Sequence, residues 1–151
     1  MPGASAAVTA LAASGLPSDS FYFAGFLPAK PGQRLARLEE LAEETATLIF
    51  YEAPHRVRET LEDMQQIFGD REACVARELT KIHEEYLFGR LSHVTGQVTP
   101  LGEFVIIIAG GKAERPEELV IEGLSRKDIL KLIAEKTGIS KKRLYDALLK
   151  D

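Results

Sequence analysis

Apolar positions along the chain fall into two alternating rhythms. Ala4–Ser14 is rich in alanine and sets Val8, Leu11 and Ala12 on one helical face, with Gly15 and Pro17 as its stop. Phe21–Leu27 (FYFAGFL) alternates imperfectly and is aromatic, as a strand is. Helical spacing returns over Gln33–Glu44, with Leu35, Leu38, Leu41 and Ala42. Ala46–Tyr51 (ATLIFY) is a near-continuous apolar run, the mark of a strand covered on both faces. Past Pro54, the residues Val57, Leu61, Met64 and Ile67 predict the buried face of a helix that Gly69 ends. Cys74–Ala76 opens an interior strand, Tyr86–Leu91 (YLFGRL) reads as another, and Ser92–Thr99 is a short segment of unclear period. Gly102–Gly111 (GEFVIIIAGG) is a further apolar strand ending in a glycine pair. The order α-β-α-β-α-β-β-(α)-β predicts an α/β sandwich on a mixed sheet.

Ligands of such sheets bind at loops beyond the carboxyl ends of strands. Glu52–Arg56, Arg77–Glu85 and Gly110-Gly111 each follow a strand, and are expected to share one edge. The densest of them lies in Cys74–Glu85 (CVARELTKIHEE), where Arg77, Glu78, Lys81, His83, Glu84 and Glu85 crowd between two apolar strands. Charge in that setting is costly unless paired or used. Two readings stay open, a chemical site and a solvated turn with surface ion pairs. The Met1-Pro2-Gly3 turn feeding the first helix presents free N–H groups suited to a ligand's polar edge, with a plain loop–helix junction as the alternative.

Residues 112–124 are polar and contain Pro116, which predicts a linker after a domain spanning 1–111. Over 125–151, Ser125 and Ser140 cap two short helices joined at Thr137-Gly138-Ile139, a helix-turn-helix-like pair with Lys141, Lys142 and Arg143 opening the second. That tail holds eight Lys/Arg against four Asp/Glu, while residues 1–124 hold eleven against nineteen, so the net charge of −4 conceals a basic tail on an acidic body. Such asymmetry points to a polyanion partner, and a helical cap with solvated lysines explains it as well.

Composition narrows the remaining chemistry. The 151 residues are 45% hydrophobic, enough for one domain with a core. Cys74 is the single cysteine, so neither an intramolecular disulfide nor a thiolate zinc site is expected, and a reducing compartment fits. No apolar run reaches membrane-spanning length, and the cytoplasm is the expected location. His55, His83 and His93 lack metal-ligand spacing, and there is neither a P-loop nor a dinucleotide fingerprint. Arg56, Arg77 and Lys81 offer cations, and Glu78, Glu84 and Glu85 offer bases.

Three strings carry a specific resemblance: PGASAAVTALAASGLPSDSFYFAGFLPAKPGQR, TLIFYEAPHRVRETLED and ARELTKIHEEYLFGRL. With the tail SRKDILKLIAEKTGISKKRLYDALL, the chain resembles the C-terminal half of the small-subunit ribosomal RNA methyltransferase I family, a branch of the tetrapyrrole (corrin/porphyrin) methylase superfamily. The resemblance implies an S-adenosyl-L-methionine-dependent transfer of a methyl group to a cytidine ribose 2′-hydroxyl in small-subunit ribosomal RNA. It also implies a homodimer, a cofactor folded between two α/β domains, and an N-terminal domain that this chain does not contain. By position, Pro2, Gly3, Ser5 and Ala6 match the segment beside the cofactor. Tyr51, Glu52, Ala76, Ala109 and Gly110 match strand ends expected to hold it. Arg56 and Arg77 are then expected to bind substrate phosphates, and Lys81, Glu78 and Glu84 to serve catalysis, with Lys81 or a carboxylate taking the hydroxyl proton. Two other readings remain: a tetrapyrrole methylase, which the ARELTKIHEE string and the basic tail disfavour, and a non-catalytic RNA-binding or dimerisation module.

Overall fold

The computed structural model describes residues 3–111; Met1, Pro2, the expected linker at 112–124 and the expected helical pair at 125–151 lie outside the described residues. Strands β1 (Phe21–Phe26), β2 (Thr47–Glu52), β3 (Glu72–Arg77), β4 (Glu85–Arg90) and β5 (Phe104–Ile108) form one sheet in the order β1-β2-β5-β3-β4. β1 and β2 run parallel, whereas β5 is antiparallel to both β2 and β3, and β3 to β4. The sheet is mixed, as expected.

Both faces of the sheet's centre are covered, which is why its apolar runs do not alternate. Helices α2 (Pro31–Glu40), α3 (Val57–Phe68) and α4 (Leu91–Gln97) bury Leu38, Leu61, Met64, Leu91 and Val94 against Leu48, Phe50, Val75, Ile106 and Ile108. Each such large apolar side chain stabilises the fold by about 1.5–3 kcal/mol. Helix α1 (Ala6–Ser14) covers the opposite face with Ala7, Ala10 and Leu11, packed on Ile49, Cys74, Ala76, Val105 and Ile107. Among the described residues α1 is the one helix on that face, and Phe23 and Phe26 on β1 and Phe88 on β4 are exposed beside it.

Helix α2 begins at Pro31, two residues before the predicted start, because proline at the first helical position loses no hydrogen bond. Its buried positions are Arg34 and Leu38, while Leu35 is only partly covered. The Arg34 guanidinium is fully buried and ties α2 to α3, with Nε donating to Asp63 Oδ2 at 2.6 Å and Nη2 lying 2.7 Å from Glu59 Oε1. Segment 92–99, unclear by period, contains most of α4. Its start is capped from a distance, where the Ser92 N–H donates to Asp70 Oδ1 at 2.8 Å and the Ser92 hydroxyl to Oδ2 at 3.0 Å.

One expectation is overturned by strand direction. Gly110-Gly111 does not share an edge with Glu52–Arg56 and Arg77–Glu85, because β5 runs antiparallel and ends at the opposite side of the sheet. There the Ala109 N–H donates to the Glu72 carbonyl at 2.9 Å, and the Gly111 N–H to the Glu44 carbonyl at 2.6 Å. A Cβ on Gly110 would collide with the Thr45 carbonyl, so that glycine serves a close backbone approach.

Candidate functional site

The edge where β2 and β3 end is also where β4 and β5 begin. It carries Tyr51–Arg56, Ala76–Glu85 and, in place of the glycine pair, Gly102–Phe104. Ala76 pairs with Val105 and with Tyr86, and Glu52 with Phe104, so these backbone positions sit side by side. Helix α1 runs back over this face from the opposite edge, where the Thr47 hydroxyl donates to the Pro17 carbonyl at 2.6 Å. Its Ser5 end therefore points toward the site edge. Gly3, Ala4 and Ala6 are exposed there, and the Ser5 hydroxyl accepts the Val8 N–H at 3.5 Å. Tyr51 is half-buried, with Phe23 and Phe26 edge-on to its ring at 5.0 and 5.6 Å.

Several expected site residues have other work. Glu52 is buried, and its carboxylate accepts the Ala53 N–H at 2.7 Å, Arg56 Nε at 2.5 Å and the Thr60 hydroxyl at 2.7 Å. Arg56 also donates from Nη2 to the Leu27 carbonyl at 3.0 Å, so it latches the end of β2 to the ends of β1 and of the Pro54–Arg56 turn. These bonds give both side chains a structural role within the chain, beside the substrate role expected of Arg56 and the cofactor role expected of Glu52. Arg77 Nε lies 3.0 Å from Glu85 Oε2, without the alignment of a hydrogen bond. That guanidinium, too, is engaged within the chain.

The loop from Glu78 to Glu84 forms a knot of charge. The Lys81 ammonium donates to Glu78 Oε1 at 3.1 Å and to Glu103 Oε2 at 3.0 Å. The Glu103 N–H donates to Glu78 Oε1 at 2.8 Å, and the Glu78 N–H returns to the Glu103 carbonyl at 3.0 Å. Glu84 Oε2 accepts the Thr80 N–H at 2.5 Å. Glu103 and then Glu78 hold the Lys81 ammonium above the ordinary lysine range. The Glu103 backbone bond, followed by Lys81, pulls the Glu78 carboxyl below the ordinary glutamate range. Both carboxylates favour the charged form of Lys81, which suits a positioning cation better than a proton acceptor. Arg77 and Lys81 stand among four carboxylates, Glu78, Glu84, Glu85 and Glu103, so among the described residues this loop cluster is net acidic.

Gly102 and Glu103 escaped sequence reasoning, which absorbed them into the apolar strand that follows. Their signal was the polar, glycine-containing step Leu101-Gly102-Glu103 immediately before Phe104. Among the described residues, no group of three or more His, Cys, Asp or Glu side chains is placed to hold a metal ion, and no helix is long and apolar enough to cross a membrane.

Comparison with known proteins matches residues 1–95 to the family model for tetrapyrrole (corrin/porphyrin) methylases. The chain is 44% identical over 164 residues to a protein of Halalkalibacterium halodurans named Ribosomal RNA small subunit methyltransferase I, covering 97% of this chain and 57% of that protein. A protein of the same name from Xylella fastidiosa strain 9a5c is 48% identical over 160 residues, covering 96% of this chain and 59% of that protein. The chain thus spans less than two thirds of the length of these relatives. Among solved structures, the methyltransferase CobJ superposes with a TM-score of 0.54 at 22% identity, covering 72% of this chain and 49% of that one, which shows a shared fold. The chain belongs to the tetrapyrrole (corrin/porphyrin) methylase family.

Proposed function

We propose that the chain is the C-terminal part of an S-adenosylmethionine-dependent methyltransferase that methylates a cytidine ribose 2′-hydroxyl in small-subunit ribosomal RNA. The observation that carries this reading is the identity of 44% and 48%, over nearly the whole chain, to proteins named Ribosomal RNA small subunit methyltransferase I. A cytoplasmic homodimer belongs to the same proposal, supported by the exposed aromatic residues Phe21, Phe23 and Phe26 on edge strand β1.

The residues at the site edge fit the cofactor in part. Small residues at the start of α1, Gly3, Ser5 and Ala6, leave main-chain groups approachable, and Tyr51 and Ala76 flank Val105 on either side of β5. These would hold it. Ala109 and Gly110 lie at the far edge and do not converge with them. When bound, S-adenosylmethionine supplies an electrophilic methyl group on a sulfonium. Lys81 would orient the acceptor as a cation, and Glu84 or Glu78 would accept the hydroxyl proton, although the bonds from Glu103 and Lys81 lower the proton affinity of Glu78. Holding the hydroxyl in line with the donor is the larger contribution, worth up to roughly 7–11 kcal/mol in well-oriented systems.

Calorimetric titration of S-adenosylmethionine tests the cofactor reading, first into this chain and then into the chain joined to the remaining portion of the Halalkalibacterium halodurans relative. Binding by the joined protein is expected. A folded joined protein that takes up no cofactor would overturn the reading.

A further inference from the structure

The loop that carries Lys81 is held in an unfavourable backbone conformation. Glu78 has φ 49° and Thr80 φ 65°, both in the left-handed region that residues with a Cβ rarely adopt. A turn serving only to reverse the chain takes glycine or asparagine at such positions. Left-handed residues of other types persist where surrounding contacts over-determine them. Here those contacts come from the Lys81 N–H to the Glu78 carbonyl at 3.0 Å, the Glu84 carboxylate on Thr80, and above all the segment entering β5.

That segment makes the room. Gly102 has φ 83°, and a Cβ on it would stand 2.5 Å from both Cγ and Oε1 of Glu78. A side chain at position 102 would displace the Glu78 carboxylate from the Glu103 N–H. We infer that Gly102 and Glu103 are positioning residues for the Glu78–Glu84 loop, Gly102 by admitting the Glu78 carboxylate and Glu103 by pinning both Glu78 and Lys81. The pair fixes Lys81, Ile82 and His83 at the site edge, where Ile82 is 97% exposed at the loop's tip. That these side chains meet the RNA rests on the methyltransferase reading, whereas the positioning itself does not.

Nuclear magnetic resonance on the isotopically labelled 151-residue chain tests it, through the titration of the Lys81 ammonium and hydrogen exchange at the Thr80 and Glu103 amides. Gly102→Ala is expected to speed exchange at both amides by roughly tenfold or more. It should also return the Lys81 midpoint toward the ordinary lysine value. Glu78→Ala removes the atoms with which the new methyl collides, so the double substitution should perturb exchange by less than the sum of the two single effects, the left-handed backbone at position 102 keeping a strain of its own. Glu103→Gln leaves the backbone intact at a side chain that is 84% exposed, and should lower the Lys81 midpoint with an unchanged melting temperature. This second variant decides the matter if Gly102→Ala does not fold. A Lys81 midpoint unmoved by Glu103→Gln, or fully additive effects of Gly102→Ala and Glu78→Ala, would overturn the inference. Absence of methyl transfer by the joined, unsubstituted protein, alongside the predicted shifts at Lys81, would remove the methyltransferase reading and leave the positioning standing.

Discussion

Arg56 closes on Glu52 with its Nε 2.5 Å from Oε1, and the carboxylate beneath it is almost fully buried. The same carboxylate accepts from Ala53 and Thr60, so one side chain fastens the end of β2 to the start of α3. Glu52→Gln keeps the size but removes the charge that compensates Arg56. Breaking a buried pair from one side costs about 3–5 kcal/mol, and the retained amide oxygen places the expected loss near 3 kcal/mol. Urea unfolding should show a lower midpoint at an unchanged slope. An unchanged midpoint, with weakened RNA binding, would return the pair to a ligand-facing role.

Asp70 gives a pH-dependent effect. The Ser92 backbone bond, opposed by desolvation and reinforced by the Ser92 hydroxyl and Arg90, holds its carboxyl below the ordinary aspartate range. A depressed carboxylate contributes stability above its unfolded value, about 3.9, and loses it as the pH falls through the folded value. Asp70→Asn should therefore lower the melting temperature at pH 7 and leave it nearly unchanged at the acid end of the folded range. Thermal melts across pH check this, and an equal loss at every pH would contradict it.

Much of the fold was legible because burial on both sides writes itself into composition. Leu48–Phe50 and Ile106–Ile108 are apolar at consecutive positions, and both proved to be central strands. The direction of β5 was not legible, since a run buried on both faces reads alike in either sense. That ambiguity moved Ala109 and Gly110 to the wrong edge and hid Gly102 and Glu103. Arg34 was missed for a related reason: helical periodicity counts apolar residues, and a guanidinium satisfied by Asp63 and Glu59 occupies a core position without altering the count. At the site, the clustering of charge in ARELTKIHEE was plain, but which charges pair depends on Glu103, about twenty residues away in sequence.

Cys74 tests the core beneath α1. Burial among apolar neighbours pushes its thiol up to about 11. The thiol is therefore protonated at pH 8 and closed to solvent, and a disulfide reagent should react only after unfolding. The folded chain binds more protons than the unfolded chain from about pH 8.5 upward, so this group lowers stability as the pH rises past that point. Rapid labelling of the native chain at pH 8 would show that α1 does not seal the sheet.

Nucleoside mass spectrometry of small-subunit RNA, after incubation with the joined protein and S-adenosylmethionine, bears most directly on what the chain does. The methyltransferase reading predicts new 2′-O-methylcytidine, strongly reduced by Lys81→Ala while the melting temperature barely changes. Methyl transfer to a tetrapyrrole instead, or no 2′-O-methylcytidine from a joined protein that binds the cofactor, would contradict it.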